Sequence, residues 1–529
     1  MLEKPLFVGT NCDAFTAFYD SDAEFSGMKD GRIPSLMAIT KGKYNGNIIA
    51  AADKASCGAD WGYIEIAVRV SEDNGDTFSD MKTILTPPVR RYPYDSEEYT
   101  SAFAIDPLMM ETEDCKVIML VDFYPESKGL HASHLLERGS GYVNNANGFA
   151  LKLYSGKTKL DGIFARKGKQ YTLQQDGFVY SPEGVKTRYY VPRNHSPEYA
   201  YSTLGDMYYC VGEKPMYIDL CPPHIPEKKD GEDIYVGNIY LSKGKKSFSV
   251  TEPVFVKKRV IKDDNGKVLC VETDPAPLRA PMISYIFMLT STDGGKSFSQ
   301  PVDITPYYKK DSDGIFLGVG PGVGITLKSE KHKGRILAPC YILGKALVLI
   351  SDDSGKSWRR NKADFCENID ECQLVEMPDG KVFCFGRPKG GGKLPVSVSD
   401  DGGETFRKLE PVEPVVPQCQ RSVISIPEDF VLPDGLINDG RFILLSTPTG
   451  HSGKDKSRTD GKVYLGRIDN ENISWIRSYD ITDKEKYAAF AKYSDFYAYS
   501  CLSVLEDNSI GLLYEAYPSG FMTFAKFNL

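Results

Sequence analysis

The chain has 529 residues, a formal net charge of −8 and a hydrophobic fraction of 41%. That acidic balance, with no Lys/Arg stripe rising above a mixed background, argues against a nucleic-acid surface, and no run approaches the ~18 apolar residues needed to cross a bilayer. With 32 Tyr, 26 Phe, 48 Gly and 32 Pro and few long amphipathic helical patterns, the composition is that of an all-β protein.

In chain order, the opening "MLEKPLFVGTNCDAF" carries no signal-peptide apolar region. The chain as given is therefore expected in the cytoplasm, or secreted if an export signal has been trimmed. "DGRIPSLMAI" places Arg32 ahead of a proline and an apolar strand, and "AADKAS" supplies Lys54. "SCGADWGYIEIAV" sets Asp60 and Trp61 on a loop before an alternating strand of Ile64, Ile66 and Val68.

A template, Ser-x-Asp-x-Gly-x-Ser/Thr-aromatic, then recurs four times. It fits Ser71-Asp73-Gly75-Thr77-Phe78, Ser291-Asp293-Gly295-Ser297-Phe298, Ser351-Asp353-Gly355-Ser357-Trp358 and Ser399-Asp401-Gly403-Thr405-Phe406. Each copy follows an apolar or alternating run, so each is expected on a tight hairpin turn. Asp and Ser satisfy turn N–H groups there, Gly supplies positive φ, and the aromatic anchors the turn in the core. Asp293, Asp353 and Asp401 are spaced as one four-stranded unit per step, whereas Asp73 to Asp293 is far too long. The excess predicts an insertion over 140–275, with its own strand-like runs and a Pro-rich break at "CPPHIPEKKDGED". "LSKGKKSF" and "RIDNENISW" read as degenerate copies of the template.

Downstream, "LGVGPGVGITL" is a glycine-rich stretch, and "IDECQLVEMPDGKVFCFGR" presents Glu371, a strand, a turn at Pro378-Asp379-Gly380, a second strand and Arg387. "CQRSVIS" holds Arg421, "DKSRTDGKVYLG" holds Arg458, and "YAYSCLSVLEDNSIGLLYEAY" holds Tyr499 and Glu515. Twelve cysteines without a CxxC pair read as mostly buried thiols, and six histidines without ligand spacing disfavour zinc.

The four turns resemble the Asp-box (BNR) repeats of the sialidase, or neuraminidase, family. The ordered set of Arg32, Asp60, Glu371, Arg387, Arg458, Tyr499 and Glu515 resembles that family's bacterial-type exo-α-sialidases with an inserted domain. The resemblance implies a six-bladed β-propeller over 1–139 and 276–529, interrupted by a small β-rich domain over 140–275. It implies that Arg32, Arg387 and Arg458 form a triad for the sialic acid carboxylate and that Glu515 braces Arg32. Tyr499 becomes the nucleophile, Glu371 its base and Asp60 the acid/base, with Lys54 and Trp61 contacting substrate. Lys54 stands where the family often has a further arginine, and Arg421 where it usually has a small residue. No cofactor and no metal are expected; the expected partners are sialylated glycans, glycoproteins or glycolipids.

The chemistry suits these residue types. Sialic acid carries a carboxylate on its anomeric carbon, which guanidinium groups grip with charge-assisted, partly bidentate hydrogen bonds. The same carboxylate repels an anionic nucleophile, so a neutral tyrosine serves in its place, sialidases being an exception to two-carboxylate glycoside hydrolysis. A phenol needs a base, and Asp60 needs a raised proton affinity, expected from partial burial beside Trp61. Hydrolysis, transfer to another sugar and intramolecular transfer all remain open at this stage, as does a non-catalytic propeller or lectin.

Overall fold

The computed structural model describes residues 2–8, 30–55, 59–90, 101–146, 148–155, 169–192, 204–212, 233–241, 256, 258–262, 264–266, 268–450, 457–481, 496–516 and 521–529. They form antiparallel meanders. Asp30–Ala38, Ile48–Ala55, Ile64–Ser71 and Lys82–Leu85 make a four-stranded sheet in chain order. Phe103–Glu111 and Val117–Tyr124 start a second sheet that Tyr285–Ser291 and Val302–Asp303 complete. In between, the chain forms a separate seven-stranded sheet, from Tyr142–Asn145 to Ile234–Asn238. A nine-stranded sheet follows, containing Ile336–Ile342, Gly344–Ser351, Phe365–Glu376, Val382–Pro388 and Val396–Ser399. Ser422–Ser425, Phe442–Pro448, Gly461–Asp469 and Asn472–Asp480 make another four-stranded sheet. The last sheet, Ser500–Val504, Ile510–Ala516 and Phe521–Phe527, takes its fourth strand from Leu2–Val8, so the two ends of the chain are zipped together.

Alternating apolar residues fill the layers between consecutive sheets. Leu36, Ile48 and Ala50 meet Leu513 and Phe524, and Ile49 and Ile66 meet Met119 and Phe287. Leu108 and Leu120 meet Leu347, Leu349 and Trp358. Within the nine-stranded sheet, Leu337 and Ile350 meet Leu374 and Cys384. Phe383 and Val396 meet Ile443 and Leu445, and Leu444 and Val463 meet Leu512 and Tyr514. Each such fully buried side chain contributes ~1.5–3 kcal/mol, and the layers are what hold sheet to sheet.

The four Ser-x-Asp turns have one geometry. The preceding strand ends on the template serine, whose Oγ accepts the glycine N–H at 2.8–2.9 Å and donates to Asp Oδ1. The same Oδ1 accepts the N–H of the Ser/Thr two residues beyond the glycine at 2.8–2.9 Å. The glycines sit at φ of 84–90°, the left-handed region, and a Cβ on Gly355 would lie 2.2 Å from Ile118. The closing aromatics enter the core: Trp358 and Phe298 are buried, Phe78 meets Phe524 edge-on and Phe406 stacks on Phe365. "RIDNENISW" departs from the template. Asn470 and Glu471, with φ of 46° and 78°, form a two-residue turn joining Gly461–Asp469 to Asn472–Asp480, as a mirror-type hairpin turn requires. "LSKGKKSF" lies almost wholly outside the described residues, as does most of the Pro-rich break.

The first strands of the sheets place the site. Arg32, Asp106 and Glu371 lie within, and Tyr499 just before, strands that reach a second cavity through Leu36–Ala38, Glu111, Leu374 with Glu376, and Leu502–Val504. From the site to the second cavity these strands therefore run in one sense. The glycine-rich stretch threads against them: Ser35 Oγ donates to Gly322 O, Gln373 and Gln420 both donate to Pro321 O, and a Cβ on Gly320 would lie 2.7 Å from Cys372 O. Three of the strands are bulged near the site, between Arg32 and Ser35, Ile105 and Leu108, and Ile369 and Cys372. Ile33, at φ 55°, and Asp106, at φ 65°, occupy the left-handed region there, a strain of ~1–3 kcal/mol each that re-aims neighbouring side chains.

Candidate active site

These strand ends open into a cavity of about 400 Å³ lined by Arg32, Asp60, Asp106, His131, Glu371, Arg387, Arg458 and Tyr499, with Phe103, Ile105, Tyr124, Leu130 and Tyr341 among its other walls. No residue of the four Ser-x-Asp turns lines it.

On one side Tyr499, just ahead of Ser500–Val504, donates from its hydroxyl to Glu371 Oε1 at 2.6 Å. Arg387, at the end of Val382–Pro388, donates from Nη1 to both Glu371 oxygens at 2.7 and 2.5 Å and to the Tyr499 oxygen at 2.8 Å. Tyr499 and Glu371 are buried. Burial and the adjoining Glu371 carboxylate push the phenol well above its ordinary value. Burial also tends to raise Glu371, but the Arg387 charge and the Tyr499 hydrogen bond outweigh it and hold the carboxyl below its usual range. The pair is thus a neutral phenol against an ionised carboxylate, the state in which Glu371 can accept the phenol proton. The Arg387 and Arg458 guanidinium carbons lie 5.8 and 5.4 Å from the Tyr499 ring centre.

On the other side Arg32 Nη1 donates to Asp60 Oδ1, and its Nε lies 3.4 Å from Glu515 Oε1. The same Glu515 oxygen accepts the Ile33 N–H at 3.0 Å, tying the strained strand to the last sheet. Asp60 Oδ2 meets His131 Nε2 at 3.2 Å. Here the sequence expectation is corrected. Burial does push the Asp60 carboxyl up, but Arg32 and His131 outweigh it, and the group sits below its ordinary value. Asp53, on the strand paired with that of Arg32, and the half-buried Asp106, on the first strand of the next sheet, are pushed well above the carboxylate range, chiefly by removal from water and also by nearby carboxylates. The Asp106 N–H donates to Asp53 Oδ1 at 3.2 Å.

The remaining candidates fall into place around this centre. Trp61 stacks at a tilt on His131, with centroids 4.7 Å apart, and carries Lys128 Nζ 4.8 Å from a ring centre. Lys54 is turned elsewhere: its Nζ donates to Glu65 Oε2 at 2.8 Å and to Thr83 Oγ1, and it does not line the cavity. Strand alternation explains this, because Asp53, the next residue along, faces the Arg32 side. Arg421 is buried behind the site, donating to the carbonyls of Gly386 at 3.0 Å and Cys419 at 2.5 Å, and burial lowers its guanidinium to about 10. It braces the backbone beside Arg387.

Sequence reasoning did not single out Asp53, Asp106, His131, Asp370 or Tyr341. For Asp106 the available signal was a lone aspartate inside the apolar run "AFAIDPLMME". Lys454 and Lys456, which share the loop of Arg458, lie outside the described residues.

Three comparisons bear on this arrangement. The model of a BNR repeat-like domain matches residues 260–514. The anhydrosialidase of Macrobdella decora is 28% identical over 515 residues, covering 92% of this chain and 58% of that protein. Sialidase B of Streptococcus pneumoniae is 26% identical over 507 residues, covering 92% and 62%. The chain thus spans about six-tenths of the length of these curated relatives. Among solved structures, an intramolecular trans-sialidase from Ruminococcus gnavus superimposes with a TM-score of 0.65 at 24% identity, covering 95% of both chains, which is a likeness of fold. The chain is thus similar to bacterial-type sialidases in its BNR repeat-like domain, in sequence over most of its length and in fold.

Proposed function

We propose that the chain is a retaining exo-α-sialidase that removes terminal sialic acid from glycoproteins, glycolipids or free glycans. The observation that carries this reading is the Tyr499 hydroxyl, hydrogen-bonded to both Glu371 and Arg387, in one cavity with the Arg32–Asp60 pair. In the first step the substrate carboxylate engages Arg32, Arg387 and Arg458. The Tyr499 oxygen attacks the anomeric carbon and its proton passes to Glu371, while Asp60 protonates the leaving oxygen. In the second, Asp60 takes a proton from water, the water oxygen attacks the same carbon, and tyrosine leaves with the proton held by Glu371. Two displacements retain configuration. Release of a fluorophore from an aryl sialoside by the purified chain tests this reading, and NMR of the first product must show the starting anomer.

The architecture we infer is a six-bladed propeller formed by 1–139 and 276–529, supported by five apolar layers between successive sheets, a sixth within the nine-stranded sheet, and the Leu2–Val8 closure. The 140–275 stretch, which includes the seven-stranded sheet, is then a domain inserted into the second blade.

A second reading is intramolecular transfer to one of the substrate's own hydroxyls. Its support is the naming of relatives that span nearly the whole chain, an anhydrosialidase and an intramolecular trans-sialidase. Mass spectrometry separates the two: hydrolysis gives free sialic acid, and intramolecular transfer gives a product lighter by one water.

A further inference from the structure

His131 is one of two exposed or half-exposed cavity residues in direct contact with each other, and the steps above assign it nothing. It lies on the Gly129–Leu135 segment of 3-10 turns, after the second strand of its sheet has ended at Tyr124. Its Nε2 is 3.2 Å from Asp60 Oδ2, while Asp60 Oδ1 is taken by Arg32. The ring is fixed on its flat side by Trp61, and Leu130 beside it forms part of the cavity wall. An imidazole nitrogen against a carboxylate oxygen makes a pair that shares one proton, present either as imidazolium and carboxylate or as imidazole and carboxylic acid.

We propose that His131 is a positioning residue and proton reservoir for Asp60, holding the proton that Asp60 delivers to the leaving oxygen. This rests on the reading of Asp60 as the acid/base of a sialidase. Arg32 faces the pair directly and Lys128 stands over Trp61, so cations favour the carboxylate form. Asp53, on the strand paired with that of Arg32, and Asp106, on the first strand of the next sheet, lie within electrostatic reach and act the other way. When the substrate carboxylate occupies Arg32, that cation is neutralised and the shared proton moves from Nε2 to Oδ2. Asp60 then gives it to the glycosidic oxygen as the bond to the anomeric carbon breaks and its electron pair stays on that oxygen. The water that opens the tyrosine adduct returns one proton to the pair, so the cycle closes with no other donor.

The experiment compares wild type, His131→Gln and His131→Ala on two sialosides. A nitrophenyl sialoside expels a phenoxide that needs no proton, whereas sialyllactose expels a sugar alkoxide that does. General-acid assistance is worth ~10²–10⁴-fold. Loss of the reservoir is expected to lower kcat/KM on sialyllactose about tenfold or more, leave the nitrophenyl substrate within about twofold, and move the alkaline limb of the sialyllactose pH profile to lower pH. Equal losses on both substrates with an unmoved limb would reduce His131 to packing and overturn the proposal, as would no loss on either. The half-exposed ring allows both variants to fold, which melting curves verify. Wild type inactive on both sialosides would overturn the sialidase reading itself, an outcome distinct from failure of the His131 variants.

Discussion

Replacing Tyr499 by phenylalanine separates catalysis from stability, because the two effects differ in size. The hydroxyl donates to Glu371 at 2.6 Å and accepts from Arg387 at 2.8 Å. Its removal deletes hydrogen bonds to charged groups worth ~1.5–3 kcal/mol. Glu371 keeps both contacts to Arg387, so no charge is left uncompensated, and the ring stays in its buried setting. Relief of the hydroxyl's own desolvation offsets part of the loss, leaving a net ~1–2 kcal/mol, which a domain with ~5–15 kcal/mol of stability survives. Loss of the nucleophile is a far larger effect: at least ~10³-fold in kcat, or ~4 kcal/mol of transition-state free energy. Turnover of a fluorogenic sialoside and a melting curve, taken on the same preparation, measure both. In wild type, a 3-fluorosialyl fluoride is expected to trap an adduct on the peptide containing Tyr499. A variant that melts like wild type and turns over within tenfold of it would refute the assignment, as would an adduct on another residue.

Among the described residues Arg458 makes no side-chain hydrogen bond and rests over the Tyr499 ring, so Arg458→Ala is expected to raise KM roughly tenfold or more with little change in melting; an unchanged KM in steady-state assays would move the third cation elsewhere. Gly355→Ala combines a left-handed φ, costing ~1–2 kcal/mol, with a Cβ 2.2 Å from Ile118, costing ~1–3 kcal/mol more, and urea unfolding is expected to show that loss with activity intact below the transition. Burial tends to raise Asp73, but its combined hydrogen bonds, from Thr77 and Ser71 above all, pull it down to about 2. Its folded value lies below the unfolded one, so its stabilisation is present above about pH 4 and is lost as pH falls toward 2. Asp73→Asn is accordingly expected to melt lower than wild type at pH 7, with the gap closing by pH 2 in thermal scans.

The turns were legible in the sequence because their chemistry is local: Ser71, Asp73, Gly75 and Thr77 satisfy one another within seven residues. The site was legible only through an ordered resemblance, since its contacts join residues far apart in the chain. Glu371 meets Tyr499 across 128 positions, and Glu515 meets the Ile33 N–H across 482. The bulges at Arg32, Ile105 and Ile369 left no periodicity signal, so the aim of Asp106 and the withdrawal of Lys54 could not be read. His131 sits in a 3-10 segment just before the predicted insertion, where composition suggests only a connection. The sign of the Asp60 shift failed for a related reason. Burial beside Trp61 was visible in sequence, but the opposing hydrogen bonds from Arg32 and His131 come from other elements.

The protein's own carboxylates nearly neutralise the three arginines of the site. Arg32 is held by Asp60 and Glu515, Arg387 by Glu371, and Arg458 rests over the Tyr499 ring. A substrate carboxylate therefore exchanges existing ion pairs rather than filling a bare cationic pocket, so its net gain is smaller than three new charge-assisted bonds would suggest. The exchange also leaves one carboxylate in excess. Glu371 remains clamped by Arg387 through both oxygens, whereas Asp60 is the more exposed and loses its share of Arg32. Asp60 is thus the group whose proton affinity rises on binding. By linkage, a ligand that raises a depressed carboxyl binds more tightly as pH falls through the window between the free and bound values. Calorimetric titration of an unreactive sialic acid analogue across that range is expected to show Kd falling with pH and proton uptake from the buffer, both reduced in Asp60→Asn. A Kd independent of pH, with no proton exchanged, would mean that the carboxylate binds without displacing Asp60 from Arg32, and the acid would then need another source for its proton.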